Sequence, residues 1–399
     1  MAVIGIVSEY NPFHLGHLHH INESRRALGD DSTVVCVMSG DFVQRGEAAV
    51  YSKFARAEAA CRCGADLVIE LPLPWCLSSA ENFARGALSL LSAAGADHIS
   101  FGSEAGNLEG LKEIAAVLLD GTTTEEIKKQ LSENGNQSFA SARQSVLETR
   151  LGKLSELIKL PNNILAVEYL KANAALGLGL EPFTVCRVGA GHDITEGDDV
   201  LCASRARQLI RNGESADFML PPEAVKVFAR EKENGRSFSR TEAFEAALLS
   251  RLRMFDKEYY SALPDAGDGL GNRLWLAAHS EGSLDGVYAS AKSKRYALSR
   301  IRRLCMCAAL GVKEEHTKAL PGYARVLAAK PKGFELLKQV DSERLKLISK
   351  PAAAKQLADE QRKIFELGAN AHDMYVLGCA AQEMRRCGED WRTSPFVLA

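Results

Sequence analysis

Apolar, β-branched runs alternate with amphipathic stretches through the first half of the chain. Val3-Ile4-Gly5-Ile6-Val7 is the first such run and has the character of a buried parallel strand. Beyond it, Leu18, Ile21 and Leu28, with small Ala27 beside them, are set against Glu23, Arg25 and Arg26, which predicts an amphipathic helix ending near Gly29. Thr33 to Met38 predicts a second strand, Ser52 to Cys63 a helix, and Ala65 to Leu71 a third strand closed by Pro72 and Pro74. Ser79 to Ala94 then predicts a helix and Asp97 to Phe101 a fourth strand. Strands that alternate with helices require crossover connections and so a parallel sheet. Residues 107 to about 160 are polar and helical and read as an insertion. Pro161 opens a helix that turns Ile164, Leu165, Val167, Leu170 and Ala174 inward and leaves Asn162 and Asn163 at its exposed start. Phe183 to Val188 is the last clear strand.

From residue 214 the pattern is one of helices without strands, among them Glu242 to Met254, Lys332 to Ile348, Ala353 to Leu367 and Tyr375 to Arg386. The fold expected is α/β: a Rossmann-like domain with a parallel sheet over residues 1–213, followed by a mainly α-helical domain over 214–399. A length of 399 residues suits two cores, and an apolar fraction of 46% is ordinary for a globular chain. Ten cysteines are scattered, with Cys61-x-Cys63 and Cys305-x-Cys307 as the close pairs, so reduced thiols in a cytoplasm are expected rather than disulfides. No basic, apolar leader precedes the first strand and no apolar run is long enough to span a membrane.

The chemistry concentrates between the first strand and the first helix, where the chain reads Asn11-Pro12-Phe13-His14-Leu15-Gly16-His17. The first turn of a helix has unpaired N–H groups and a positive dipole end, both of which attract phosphate. Gly16 lets the backbone come close to a ligand, and His14 and His17 supply donors to phosphate oxygens where charge builds in a transition state. Ser39-Gly40-Asp41 leaves the second strand at its carboxyl end, the edge at which open α/β sheets bind ligands. Arg45 in the following polar loop is a candidate clamp for a carboxylate or phosphate, with Ser39 and Gly40 beside it. Asp41, Glu104 and His192 are the candidate bases. His17, His19 and His20 do not favour a zinc site, because two are adjacent and no cysteine is close in sequence.

His14-Leu15-Gly16-His17 resembles the signature of the nucleotidyltransferase superfamily. Longer blocks resemble one family within it: Glu9 to His17, Met38 to Glu47, Gly64 to Pro72, Phe101 to Glu104, Pro161 to Leu165 with Glu168-Tyr169, and Ser293 to Tyr296 with Arg300 to Leu304. Together they are similar to the bacterial tRNA(Met) cytidine acetate ligases. That resemblance implies ATP with Mg²⁺ in the first domain, acetate activated as acetyl-adenylate, and transfer of the acetyl group to N4 of the wobble cytidine of elongator tRNA(Met). It carries ATP binding onto Val7, Ser8, Glu9, Tyr10, Asn11, Pro12, Phe13, His14, Leu15, Gly16, His17, Leu18, His19 and His20, and onto Gly102, Asn162 and Arg187. A second superfamily signature is matched in part by Ser204 and Arg207, with Cys202 and Ala203 where hydroxyl residues are usual and Ala206 in place of isoleucine.

A formal net charge of −2 excludes a general polyanion binder, yet it does not exclude a local basic face. Lys292, Lys294, Arg295, Arg300, Arg302 and Arg303 put six cations within twelve residues. On one helix Arg295, Ser299 and Arg302 would share a side while Leu298, Ile301 and Leu304 face inward. Beside a nucleotide-activating site, contact with the tRNA backbone is the preferred reading of these cations. Two rivals differ in what they need. A small-molecule nucleotidyltransferase or pantothenate-synthetase-like ligase shares the histidines without needing the basic helix, and a non-catalytic RNA-binding module would not exchange pyrophosphate into ATP.

Overall fold

The computed structural model describes residues 1–133, 137–186 and 203–399. The strands are β1 (Val3–Ser8), β2 (Thr33–Ser39), the short hairpin β3 (Phe42–Val43) and β4 (Glu47–Ala48), β5 (Leu67–Leu71), β6 (His98–Ser103), β7 (Glu181–Cys186), β8 (Tyr323–Ala329), β9 (Lys346–Ile348) and β10 (Phe396–Val397). In the first half the helices are α1 (Leu15–Leu28), α2 (Lys53–Arg62), α3 (Leu73–Cys76), α4 (Ala80–Ala93), α5 (Leu108–Leu119), α6 (Gly121–Glu133), α7 (Phe139–Leu151), α8 (Pro161–Ala175) and α9 (Ala203–Arg211). The second half adds α10 (Pro222–Glu233), α11 (Thr241–Leu252), α12 (Lys257–Ser261), α13 (Leu270–Ser280), α14 (Leu284–Ala291), α15 (Leu298–Leu310), α16 (Pro331–Leu337) and α17 (Asp359–Tyr375).

The main sheet runs β10-β8-β5-β2-β1-β6-β7, with β9 beside β8. β1 pairs in parallel with β2 and β6, β2 with β5, and β6 with β7, so the expected parallel α/β sheet is present. Its two faces explain the near-continuous apolar strands. Along fully buried β2, Val35 and Val37 enter a core with Phe83, Leu88, Leu91 and Ile99, while Val34, Cys36 and Met38 enter another with Phe13, Ile21 and Ala57. Successive side chains point to opposite faces, and helices cover both. The chain builds outward from β1 to β2 and β5, then crosses back to β6 on the other side of β1. A crevice therefore opens beyond the carboxyl ends of β1 and β6, where the winding direction reverses.

The second half corrects the expectation of helices alone. β8 pairs antiparallel with β5, from Leu67↔Ala329 to Glu70↔Arg325, and β9 and β10 extend that edge. The stretch expected to be helical from Lys332 to Ile348 is α16 followed by β9, and Ala353 to Leu367 divides into a 3₁₀ turn over Pro351–Gln356 and α17. Tyr375 to Arg386 forms two 3₁₀ turns rather than a helix. The remaining helices enclose a third core that includes Leu248, Leu274, Val287, Ile301 and Leu304, and Phe42 of the hairpin and Leu73 and Leu77 around α3 complete it. α10 instead joins the first-half core through Val227 and Phe228, whose ring stacks on Tyr51 at 4.3 Å. Nine described cysteines carry free thiols, and among the described residues no helix is long and apolar enough to cross a membrane.

Candidate active site

The loop that follows β1 is held in an unusual shape before it enters α1. Tyr10 adopts φ +45°, a conformation that costs a bulky side chain energy and persists only where its surroundings over-determine it. They do so here: its ring is buried, its hydroxyl lies 3.2 Å from Cys36 Sγ, and it packs 4.8 Å from both Phe13 and His17. Asn11 is buried as well, its Oδ1 accepting from Val50 N–H at 2.9 Å. Pro12 and Phe13 are buried behind it, leaving Leu15 half-buried and Gly16 exposed.

His14 is the N-cap of α1, and the two histidines close a capping box on each other. His14 Nδ1 accepts from Gly16 N–H at 3.0 Å, and His17 Nδ1 accepts from His14 N–H at 3.2 Å, with ring centroids 3.8 Å apart. A ring nitrogen that accepts carries no hydrogen, so in each imidazole Nε2 is the N–H donor. The same contacts dictate glycine at position 16, since a Cβ there would lie 2.8 Å from His14 Cε1. Further along α1, His20 Nε2 meets Ser100 Oγ of β6 at 2.8 Å, which ties the helix to the far lip of the crevice. Val7, Ser8, Leu18 and His19 are half-buried around this helix start.

At the end of β6, Gly102 pairs with Val185 of β7, and Glu104 beyond it caps α8. Its Oε1 accepts from Asn162 N–H and Nδ2 at 3.1 and 2.6 Å, and its Oε2 accepts from Asn163 N–H at 3.1 Å. A carboxylate on three donors at a helix start is committed to that role. Asn163 is buried, not exposed as expected, with its Oδ1 accepting from Ser103 Oγ at 2.7 Å. Arg187 and His192 lie outside the described residues. In α9, Ser204 is exposed in the first turn, and Arg207 Nη1 reaches back to Asn11 O at 3.0 Å, joining the second signature to the loop of the first.

The turn after β2 is a buried polar junction. Asp41 accepts from Lys53 N–H at 2.8 Å through Oδ1 and from His372 Nδ1 at 2.8 Å through Oδ2. Burial disfavours its charge, but the imidazolium of His372 and the nearby Lys53 and Arg56 outweigh that and hold it well below the usual carboxylate range. Asp41 is thus engaged with His372 and Lys53, and Glu104 with the start of α8. Ser39 is buried, and Gly40 is required because a Cβ would lie 2.8 Å from Glu70 Oε1. Arg45 is exposed at the tip of the hairpin. Glu9 accepts from Gln44 N–H at 2.9 Å, and burial raises its pKa against that bond and the charges of Arg207, Arg45 and Arg56.

The basic segment divides into two groups. Lys292, Lys294 and Arg295 precede α15 and are exposed, with Arg295 3.8 Å from Asp268, so Arg295 does not share a helix face with Arg302. Arg300 donates to Asp265 O through two nitrogens, Arg302 pairs with Glu47 at 3.0 Å, and Arg303 is largely buried against Gln44 O. Ile301 and Leu304 are buried as expected, whereas Leu298 is 39% exposed.

Reading from sequence missed the charged residues beneath this site. Lys53 Nζ lies 2.8 Å from Glu70 and 2.8 Å from Asp390, Arg325 also bonds Asp390, and all four are buried. Arg56 is fully buried and bonds only main-chain carbonyls. One signal was there to be read: Arg56 lies within a run of small residues at Ala55, Ala57, Ala59 and Ala60 spread around the helix, the pattern of a helix packed on all sides.

Comparison with known proteins places this geometry in a family. The family model for HIGH nucleotidyl transferases matches residues 1–390. The tRNA(Met) cytidine acetate ligase of Syntrophomonas wolfei is 36% identical over 99% of both chains, and that of Acetivibrio thermocellus 34% over the whole of both. The crystal structure of Thermotoga maritima TmcAL bound with alpha-thio ATP superposes with a TM-score of 0.91 at 30% identity over the full length of each chain. The chain therefore belongs to the HIGH nucleotidyl transferase family, among the tRNA(Met) cytidine acetate ligases.

Proposed function

We propose that this protein activates acetate with ATP and acetylates N4 of the wobble cytidine of elongator tRNA(Met). The observation that carries the chemistry is the reciprocal cap of His14 and His17 at the start of α1, beside the crevice between β1 and β6, which leaves Nε2 as the protonated nitrogen of each ring. Acetate oxygen forms a bond to the α-phosphorus as the bond to the bridging oxygen breaks, and pyrophosphate leaves. The helix dipole and the two donors stabilise charge on the phosphoryl oxygens during that in-line displacement. The cytidine amine then forms a bond to the acetyl carbon, the carbon–oxygen bond to AMP breaks, and the amine loses a proton. Holding amine and mixed anhydride together supplies most of the second step.

Nucleotide contacts are assigned to residues 7–20 with Gly102, Asn162, Arg187, Ser204 and Arg207, and the acyl or phosphate clamp to Ser39, Gly40 and Arg45. Mg²⁺ would enter with ATP and would supply charge neutralisation at the phosphates when bound. Residues 1–213 bind the nucleotide in this reading and 214–399 dock the tRNA, with Lys294 and Arg295 exposed to phosphate and Lys292, whose Nζ donates to Tyr296 O at 2.7 Å, beside them. The anticodon bases would be splayed into the crevice, as sequence-specific RNA recognition usually requires.

The test is an assay of purified protein with ATP, acetate and transcribed elongator tRNA(Met), beside His17→Ala. Acetate-dependent AMP release with N4-acetylcytidine in the digested RNA, lost in the variant, is the expected result. Pyrophosphate release without modified RNA would overturn the RNA step.

A further inference from the structure

Arg56 projects from the first turn of α2 into the space between the carboxyl ends of β1 and β2, and it is fully buried there. Its Nε donates to Tyr51 O at 2.9 Å, Nη1 donates to Glu9 O and to Ser39 O at 3.2 Å, and Nη2 donates to Gly40 O. Every one of these acceptors is a main-chain carbonyl. The pairing of β1 with β2 ends at Ser8↔Met38, after which the two chains part, one towards His14 and the other towards the β3–β4 hairpin. Carbonyls that have left a ladder and remain buried must find other donors. One guanidinium supplies them to both chains at once.

The chemistry of the side chain fits that task. Its planar fork presents five N–H groups in fixed directions, whereas a lysine presents three around a single nitrogen and cannot reach both strand ends in the same geometry. Asp41 and Glu9 balance the charge from nearby, but every hydrogen bond goes to a main-chain carbonyl, so a shift of either strand end breaks a charge-assisted bond and leaves a buried donor unpaired. The gap between Glu9 and Gly40 is thereby stiff.

We propose that Arg56 is a positioning residue for the ligation: it fixes the distance between the loop carrying His14 and His17 and the turn Ser39-Gly40, and so sets the line of acyl attack on the α-phosphate. This rests on the reading of the site as an acetate-activating centre. The shape of the ATP-binding loop is held by its own bonds at Tyr10, Asn11 and His14, whereas Arg56 sets its distance from the Ser39-Gly40 turn, so loss of the brace falls on kcat more than on ATP affinity. Misplacement of reacting groups by about an ångström costs on the order of 100-fold in rate.

The test is Arg56→Lys, assayed by acetate-dependent ATP–pyrophosphate exchange at a temperature below the melting point of both proteins, with ATP affinity measured separately by calorimetry. The control is Asp66→Asn, which removes bonds to Val34 N–H and Arg25 at the opposite end of the same strands. The expected result is a fall in kcat of roughly 10- to 100-fold with ATP affinity within about threefold of wild type, while the control loses thermal stability and keeps its kcat. An Arg56→Lys protein with unchanged kcat, one whose ATP affinity falls in parallel with its rate, or one that does not fold would overturn the positioning role. Wild-type protein without acetate-dependent exchange would instead overturn the reading on which the role rests.

Discussion

Asp390 places its carboxylate 2.8 Å from Lys53 Nζ, so the last part of the chain neutralises a buried cation in the first turn of α2. Arg325 bonds the same carboxylate, and Glu70 serves as the second anion of the group. Asp390→Asn would leave two buried cations sharing Glu70, with Asp41 3.9 Å from Lys53 as the other nearby carboxylate. Removing one partner of a buried ion pair costs about 3–5 kcal/mol, and a loss of that size in urea unfolding at pH 7 is expected. A change below about 1 kcal/mol would contradict it.

Stability should fall as the pH rises above neutrality, and His372 is the reason. Burial disfavours its charged ring, but Asp41 and the hydrogen bonds to Asp41 and Glu389 outweigh that and push its pKa up to about 10. A folded-state pKa raised above the unfolded value of about 6.5 gives stability that is complete below 6.5 and lost as the pH climbs towards 10. Between those limits one proton gives a slope of up to about 1.4 kcal/mol per pH unit. Urea unfolding from pH 6 to 10 should show the decline, and His372→Gln should flatten it.

Gly16→Ala separates activity from stability. Alanine is favoured over glycine in a helix by up to about 1 kcal/mol while loss of an N-cap costs about 0.5–2 kcal/mol, so the two nearly offset and the melting temperature should change little. The added Cβ would lie 2.8 Å from His14 Cε1 and displace that ring from its cap. Pyrophosphate exchange should fall by roughly tenfold or more, a loss of about 1.4 kcal/mol in transition-state stabilisation. Full activity in the variant would remove the His14 geometry from the mechanism.

The two groups of cations before and within α15 should behave differently. Replacing Lys292, Lys294 and Arg295 together by alanine is expected to weaken tRNA binding and flatten its dependence on salt, by roughly 0.7–0.9 in the log–log slope for each phosphate that is no longer neutralised. Melting should barely change, because these side chains are exposed. Arg303→Ala should do the reverse, lowering the melting temperature through loss of its half-buried packing against the hairpin. Filter binding across a salt series, with melting curves beside it, distinguishes them.

Short-range pattern revealed the strands and helices around His14 because each is set by residues close in sequence. β-branched runs gave β1, β2, β5 and β6, and the alternation of strand and helix gave their parallel pairing. β8 escaped because Tyr323-Ala324-Arg325-Val326-Leu327-Ala328-Ala329 is rich in alanine, carries a charge and follows helices, so local preference favours no strand. Its strand state is decided by β5, and Arg325 is tolerated there because Asp390 meets it. The histidine pair was legible in outline, but not the reciprocal cap that fixes its tautomers. Arg302 and Arg303 read as a solvent-facing pair from charge alone, although Glu47 and Gln44 hold them against the hairpin.

The antiparallel seam between β5 and β8 also bears on how the chain is made. While the ribosome is still adding residues before Tyr323, Leu67 to Leu71 stands as an uncovered edge in a nascent sheet whose other strands can already pair. An uncovered apolar edge invites pairing with another chain. Until Ala329 has emerged and Asp390 has followed it, Lys53 also lacks a carboxylate it needs, and the turn at Asp41 lacks its bond from His372 until that residue has been made. Competence for chemistry at the His14-to-His17 motif is therefore deferred until residue 390 has been made, and a fragment released before Tyr323 would be an aggregation hazard rather than a partial enzyme.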